Sequence, residues 1–346
     1  MNKSQILSLI LTKIHPMKNA LSIIFISISC FIFGQKKYVM VVHGGAGTIL
    51  KANMSEIKEK EFKSKLTEAL KAGYTEYKAG ENSTKMVEAA IVILENSPLF
   101  NAGKGSVFTH EGKNEMDASV MVGNTKMAGA VAGVTTIKNP IKAAIAVMNN
   151  SQHVLLSGKG AEVFAKEQKL EIVDPSYFFT QDRWDALQRM LAKEKANQHS
   201  STTPDYLEVD SKFGTVGAVA LDKNKVITAG TSTGGMTNKR WNRLGDSPII
   251  GAGTYANHQV GISGTGWGEY FIRTTAARTI AAKMEYQNKT VQQASQELID
   301  EMGAMGGDGG VIALDINGNI AMPFNTEGMY RGAITEDGTI EIEIYK

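Results

Sequence analysis

A layered α/β domain is what the sequence predicts, on three observations. Strand-like apolar runs alternate with helical periodicity in both halves of the chain, a polar stretch without sustained periodicity separates those halves, and 42% hydrophobic content over 346 residues supplies a full core. The polar stretch joins either two halves of one sandwich or two domains, and spacing alone leaves both open.

The chain begins with a segment that stands apart. "MKNALSIIFISISCFIFG" (Met17 to Gly34) is a short basic start followed by an apolar run that ends on a small residue, the layout of a secretory signal peptide. Met17 is therefore the expected true start and Gly34/Gln35 the expected cleavage point. Such a leader places the mature protein outside the cytoplasm, periplasmic or secreted. The run from Ala20 to Phe33 is short for a membrane span. Residues 1–34 hold Lys3, Lys13 and Lys18 and no acidic residue, so their loss takes the balance from 37 basic against 35 acidic to 34 against 35. No basic surplus remains for nucleic acid. The single cysteine, Cys30, lies in the leader, so the mature chain has no disulfide and no thiolate nucleophile. Its chemistry must use hydroxyls, carboxylates, amines or histidines, and the histidines are scattered, with no HExxH.

The elements follow in order. "KKYVMVVHGGAG" (Lys36 to Gly47) reads as a buried strand running into a glycine turn. Helical periodicity covers about Ser55 to Lys78 and Ser83 to Asn96, the second opened by capping residues. Short strands are expected at "GSVFT", "EMDASVMV" and "AGAVAGVTT". "NPIKAAIAVM" starts a helix, with Asn139 as cap and Pro140 in the first turn, and residues 177–195 look helical. Residues 193–214 are the linker. Strands resume at "TVGAVALD", "VITAGTSTGG", "PIIGAG" and "QVGISGTG", two helices run roughly Glu269 to Tyr286 and Val291 to Met302, and "VIALDINGNIAMPF" is a hairpin with two further strands behind it.

Thr215 is the residue that most needs explaining, because it opens a strand directly after Gly214 and a long soft linker. An N-terminal α-amino group has a pKa of about 7.7–8.0 and lies within reach of its own side-chain oxygen, so a threonine exposed by cleavage carries nucleophile and base together. A flexible linker would present the scissile bond, and Gly214 tolerates a strained backbone. The plain alternative is a strand that starts with a β-branched residue. The following hairpin brings Thr231, Ser232 and Thr233 near Thr215. "SGTGWGEYFIRTTAARTI" (Ser263 to Ile280) sets a small-residue turn before a helix, where N–H groups around Thr265, Gly266 and Gly268 suit an oxyanion. In "NRLGDSP", Arg243 can hold a carboxylate while Asp246 takes an ammonium, the two charged groups of a free amino acid, or the two form a solvated salt bridge. "GTSTG" fits the esterase elbow and nominates Ser232, but no helical stripe follows it.

Together "HGGAG", "NAGKGSVFT", "EMDASVMVGNT", "GAVAGV", "GTVGAVALD", "TSTGGMTNKRWNRLGDSPIIGAGTYA", "GTGWGE" and "GGVIALDINGNIAMPFNTEGMYRG" closely resemble the isoaspartyl peptidase/L-asparaginase family of N-terminal nucleophile hydrolases, from about Tyr38 to about Gly332. The resemblance implies a four-layer αββα sandwich, of class α+β, made of an α-subunit (35–214) and a β-subunit (215–346) cut at Gly214/Thr215. It implies Thr215 as nucleophile, Thr233 as its hydrogen-bond partner, Thr265 and Gly266 as oxyanion hole, and Arg243, Asp246, Gly268 and Asn101 as substrate contacts. It further implies a dimer of cleaved pairs acting on a small molecule, a β-aspartyl dipeptide or asparagine. No cofactor is required for the chemistry. A structural sodium ion is expected on backbone carbonyls of Leu94, Glu95, Ser97, Phe100, Ala102 and Lys104, a suitable set for a hard cation. Related glycosylasparaginases carry histidine and aspartate before their threonine, where this chain has Phe213-Gly214, which favours the peptidase branch. The rival reading is a chain that never matures and serves as a binding or scaffold protein.

Overall fold

The computed structural model describes residues 36–197 and 214–346. The expected leader, and residues 198–213 of the expected linker, lie outside the described residues. Residues Lys37–Lys346 form one unit. It is mixed α/β, built on two sheets.

In chain order the strands are β1 (Tyr38–Gly47), β2 (Met116–Val122), β3 (Ala128–Val134), β4 (Leu155–Ser157), β5 (Val216–Leu221), β6 (Ile227–Thr233), β7 (Thr254–Ala256), β8 (Val260–Gly266), β9 (Gly309–Asp315), β10 (Ile320–Ala321), β11 (Gly328–Thr335) and β12 (Ile340–Tyr345). The α-helices are α1 (Glu56–Ala79), α2 (Ser83–Glu95), α3 (Pro140–Asn150), α4 (Gly158–Glu167), α5 (Gln181–Asn197), α6 (Gly268–Arg273), α7 (Ala276–Gln287) and α8 (Val291–Ala304). The larger sheet runs β12-β11-β1-β5-β6-β2-β3-β4 and the smaller β10-β9-β8-β7. Thus β5 lies between β6, its neighbour in sequence, and β1, which comes from the start of the described sequence. The strand that Thr215 immediately precedes is central.

Local chemistry explains the elements. Ser55 Oγ caps α1 by accepting the N–H of Lys58, Asn82 does the same for α2 through Lys85, and Thr290 with Gln293 forms a complete capping box on α8. Along α1 the buried residues Phe62, Leu66, Ala69, Leu70, Gly73 and Tyr77 keep helical spacing and make one apolar stripe. That stripe joins Met86, Val87, Ile91 and Leu94 of α2 and alternate residues of the larger sheet, including Met40, Val42, Ala118, Val216 and Ala218, in one core cluster. A second cluster holds the other alternation, Val41, Val219 and Ala229, with Ile262 and Val311 of the smaller sheet and Ile280 and Leu298 of α7 and α8.

Several expectations needed correction. "GSVFT" makes only an isolated bridge, Phe108 with Asn114, and "PIIGAG" is a run of turns before β7. The helix expected from Glu269 to Tyr286 is two, because Thr275 takes a left-handed backbone, φ 45°, and Thr274 turns its hydroxyl back on the Tyr270 carbonyl. Helix α5 runs through Asn197, into the stretch read as linker. Helix α4 and strand β4 had not been assigned. Asn139 precedes α3 but makes no side-chain cap. Among the described residues no helix is long and apolar enough to cross a membrane.

Leu66→Ala, at a fully buried position, should cost about 2–5 kcal/mol in urea unfolding, while Ile57→Ala, at a site 75% exposed, should stay within about 0.5 kcal/mol. Equal effects would mean that α1 does not carry its stripe into the core.

Candidate active site

The β5/β6 hairpin sets the geometry of the candidate nucleophile. Asp222 Oδ1 accepts the N–H groups of Asn224 and Val226, closing a turn that pairs Leu221 with Ile227 and, at the far end, Val216 with Ser232. One residue further on, Thr215 meets Thr233. Its Oγ1 donates to Thr233 Oγ1 at 3.0 Å, and Thr233 Oγ1 also accepts the Gly235 N–H at 3.0 Å. Both threonines are buried. The carbonyl oxygen of Gly214, on the bond before Thr215, accepts the backbone N–H of Asn101 at 3.0 Å. Asn101 is itself fixed on every side: its carbonyl accepts the Gly234 N–H, its Nδ2 donates to the Gly235 carbonyl at 2.7 Å, and its Oδ1 accepts the Val107 N–H. So the bond at 214/215 is gripped on the acyl side by Asn101 and on the hydroxyl side by Thr233.

Thr265 comes from β8 of the smaller sheet. It is fully buried, and its Oγ1 accepts the Ala46 N–H of β1 at 3.2 Å. Gly266 has φ 149°, and an added Cβ would lie 2.4 Å from the Asp308 carbonyl oxygen. Trp267, which caps α6, donates its backbone N–H to that same oxygen and packs edge-on against Tyr270 at 5.1 Å.

Arg243 and Asp246 do not pair with each other. The guanidinium makes a fork to Glu269, Nε to Oε1 at 2.9 Å and Nη2 to Oε2 at 2.6 Å. Gly268 is the point where the two candidate contacts converge: a Cβ there would lie 2.8 Å from Asp246 Oδ1 and 2.9 Å from Arg243 Nη2. A cation edge and a carboxylate thus face the same small space, which only glycine leaves open. Asp246 is buried, and its Oδ2 has no hydrogen-bond partner. Burial pushes its carboxyl up to about 7, against the opposing pull of its own backbone N–H and of Arg243. Glu269 is held below the usual carboxylate range by the Arg243 fork, which outweighs its partial burial.

Ser232 is no nucleophile candidate. Its hydroxyl donates to the buried Glu95 Oε1 at 2.7 Å, on the opposite face of β6 from Thr231 and Thr233. Glu95 also accepts the Ile141 N–H, and burial raises its pKa to about 7. In the loop from Leu94 to Lys104 the chain folds back tightly: a Cβ on Gly103 would lie 2.4 Å from the Glu95 carbonyl oxygen and one on Gly105 2.0 Å from that of Phe100. Among the described residues no cluster of His, Cys, Asp and Glu could hold a metal.

Other residues join the site that the sequence reading did not name. His43, set aside as one of several scattered histidines, puts Nδ1 3.0 Å from the Thr215 carbonyl oxygen. Asp117 pairs across the β2/β6 ladder with Thr233 and is fully buried. Lys239, also buried, donates Nζ to the Glu115 carbonyl at 3.0 Å and stands 3.8 Å from the Glu115 carboxylate. Burial lowers the Lys239 pKa and raises that of Asp117, and each group counters the other's shift.

A family model described as asparaginase matches residues 36–344. The chain belongs to the isoaspartyl peptidase/L-asparaginase family of hydrolases. It is 48% identical over 300 residues to the isoaspartyl peptidase of Salmonella typhimurium, covering 86% of this chain and 95% of that one. The isoaspartyl peptidase of Escherichia coli is 47% identical over 301 residues, 85% of this chain and 92% of its own. The plant-type L-asparaginase of Pyrococcus furiosus is 42% identical over 297 residues, 84% and 94%. The family match includes all the candidate residues from His43 to Glu269.

Because the folded Asp246 pKa, about 7, exceeds the ordinary 3.8, the folded state binds this proton more tightly. Its stabilising contribution is complete below about pH 3.8 and is lost as pH rises to about 7, at roughly 1.4 kcal/mol per unit. Unfolding of wild type and Asp246→Asn from pH 4 to 8 should show the wild type losing ground steadily across that window. Parallel curves would mean that this carboxyl titrates as an ordinary one.

Proposed function

We propose that this protein is an exported, self-processing amidohydrolase that cleaves the side-chain amide of β-aspartyl dipeptides and of L-asparagine, releasing L-aspartate. The observation that carries the reading is the grip on one peptide bond: Thr215 Oγ1 donates to Thr233 at 3.0 Å while the Gly214 carbonyl accepts the Asn101 N–H. In the maturation step the Thr215 oxygen, giving up its proton, attacks the Gly214 carbonyl carbon, and the Asn101 N–H stabilises the oxyanion. The bond to the Thr215 nitrogen breaks as that nitrogen takes up a proton, leaving the Gly214 acyl group as an ester on Thr215 Oγ1. Water then hydrolyses the ester and leaves residues 35–214 and 215–346 as two subunits.

In the mature site the freed α-amine takes the proton from Thr215 Oγ1, which attacks the substrate's side-chain carbonyl. Thr265 Oγ1 and the Gly266 N–H receive the developing oxyanion. Ammonia or an amino acid leaves with the proton, and water releases aspartate from the Thr215 ester. Arg243 holds the α-carboxylate, and Asp246, ionised, holds the α-ammonium beside Gly268. The approach of both clamp groups to the Gly268 position supports this assignment. Asn101 lines the site from its hydrogen bonds to residues 234 and 235.

The proposal includes the αββα layer order, for which the two core clusters on opposite faces of the larger sheet speak, and a dimer of cleaved pairs. It also includes sodium held by carbonyls of Leu94, Glu95, Ser97, Phe100, Ala102 and Lys104. Hard carbonyl donors suit that ion, and the close return of Gly103 on Glu95 and of Gly105 on Phe100 supports a turn tight enough to gather them. The ion would supply structure only, fixing the loop that carries Asn101.

Aspartate release from asparagine and from β-aspartyl dipeptides tests the reading. Thr215→Ala should abolish it, by at least about 10³-fold, and Ser232→Ala should keep the nucleophile. Arg243→Ala should mainly raise KM. A Thr215→Ala protein that still turns over substrate would end the proposal.

A further inference from the structure

His43 leads away from the candidate nucleophile into a buried relay. Its Nδ1 lies 3.0 Å from the Thr215 carbonyl oxygen and its Nε2 2.9 Å from Ser263 Oγ. Behind Ser263 the hydroxyls follow in line: Ser263 to Thr231 at 2.7 Å, Thr231 to Thr254 at 2.5 Å, and Thr254 to Ser119 at 2.8 Å. Ser119 Oγ also lies 2.6 Å from the carbonyl oxygen of Ser247, the residue after Asp246. All five side chains are fully buried, and they come from β1, β8, β6, β7 and β2.

The direction of this relay follows from counting protons. A carbonyl oxygen only accepts, so the ring nitrogen facing Thr215 must carry the hydrogen. Burial disfavours the imidazolium and takes the His43 pKa down to about 3, so at neutral pH the ring has a single N–H. Nε2 is therefore an acceptor, and Ser263 donates to it. With its one proton spent, Ser263 accepts from Thr231, which accepts from Thr254. The proton of Ser119 lies between Thr254 Oγ1 and the Ser247 carbonyl. Gly217 makes room for the join: a Cβ there would lie 2.0 Å from Ser263 Oγ and 2.3 Å from His43 Nε2.

We propose that His43 is a positioning residue for the nucleophile: its Nδ1–H holds the Thr215 main-chain carbonyl, and the relay Ser263–Thr231–Thr254–Ser119 locks the ring in the tautomer that can do so. The inference rests on the reading of Thr215 as nucleophile. Once the preceding bond is cut, Thr215 keeps one covalent neighbour, Val216, and rotation about its last backbone bonds would carry Oγ1 off Thr233. The imidazole removes that freedom from the carbonyl side. The far end of the relay ties the same carbonyl to the loop of Asp246, so nucleophile and substrate clamp share one hydrogen-bonded frame. A misplacement of about 1 Å costs a reaction on the order of 100-fold, which sets the scale of the benefit.

Two measurements test it. In the full chain carrying 15N-labelled histidine, NMR should show His43 protonated at Nδ1 and bare at Nε2, the reverse of the form favoured by free imidazole side chains; an Nε2–H ring overturns the proposal. In kinetics, His43→Asn sets an amide where Nδ1 lies and should keep kcat within about threefold, whereas His43→Gln reaches the Nε2 position and should lower kcat about 10–100-fold with KM within about twofold. Equal loss in both variants, or loss confined to KM, overturns it as well. Should neither variant fold, the tautomer decides alone. An active Thr215→Ala would instead sink the nucleophile reading and leave the tautomer result standing.

Discussion

The register of the β5/β6 hairpin is the constraint on which the site depends. Sequential pairs run from Leu221/Ile227 to Val216/Ser232, and the next step sets Thr215 against Thr233. Side chains alternate across a strand, so a slip of one residue would turn Thr231 and Thr233 toward the helices and bring Ser232 to the nucleophile. The turn at Asp222 guards against that slip by spending one carboxylate oxygen on two backbone N–H groups. The neighbours fix it from both sides, because β1 pairs His43 with Gly217 and β2 pairs Asp117 with Thr233.

Alternation also divides the labour of β6. Ser232 faces α2 and α3 and is consumed by Glu95, a structural junction that accepts from the first turn of α3 as well. Thr231 and Thr233 face the other way, into hydroxyl partners and the candidate site. Charge is handled differently on that side. Asp246 is buried with an unpartnered oxygen, while the nearest guanidinium is committed to Glu269. Burying a carboxylate without a full set of partners is costly, and a substrate ammonium placed against Asp246 would offset that cost. The cost of folding Asp246 in this way is what gives the proposed clamp its appetite for a cation.

Much of this was legible in the sequence, for identifiable reasons. Caps, turn residues and apolar periodicity act over a few positions, so α1, α2, the Asn317-Gly318 hairpin and the β5/β6 pair could be read directly. The motif resemblance reached Thr215, Thr233, Asn101, Arg243, Asp246 and Gly268; the fold joins Thr215 to Thr233 by a hydrogen bond, ties Asn101 to the residues beside them, Gly214, Gly234 and Gly235, and brings the last three to a common point. What spacing hides is contact over long range. His43 stands 172 positions from Thr215 and 220 from Ser263, and only the placement of β1 beside β5 joins them. Glu269 has no signal at short range: Arg243 and Asp246, three apart, read either as a clamp for two substrate charges or as a salt bridge, whereas the fold presents the start of α6 to the guanidinium. The break at Thr274–Thr275 escaped because a left-handed threonine has no signature in the apolar pattern.

The central claim, that this chain arms its nucleophile by severing its own backbone, is tested most directly by intact-mass spectrometry on protein shown to be active. The account predicts two polypeptides, the smaller beginning with Thr215 and ending at Lys346. Active protein whose backbone is unbroken between Gly214 and Thr215 would contradict it.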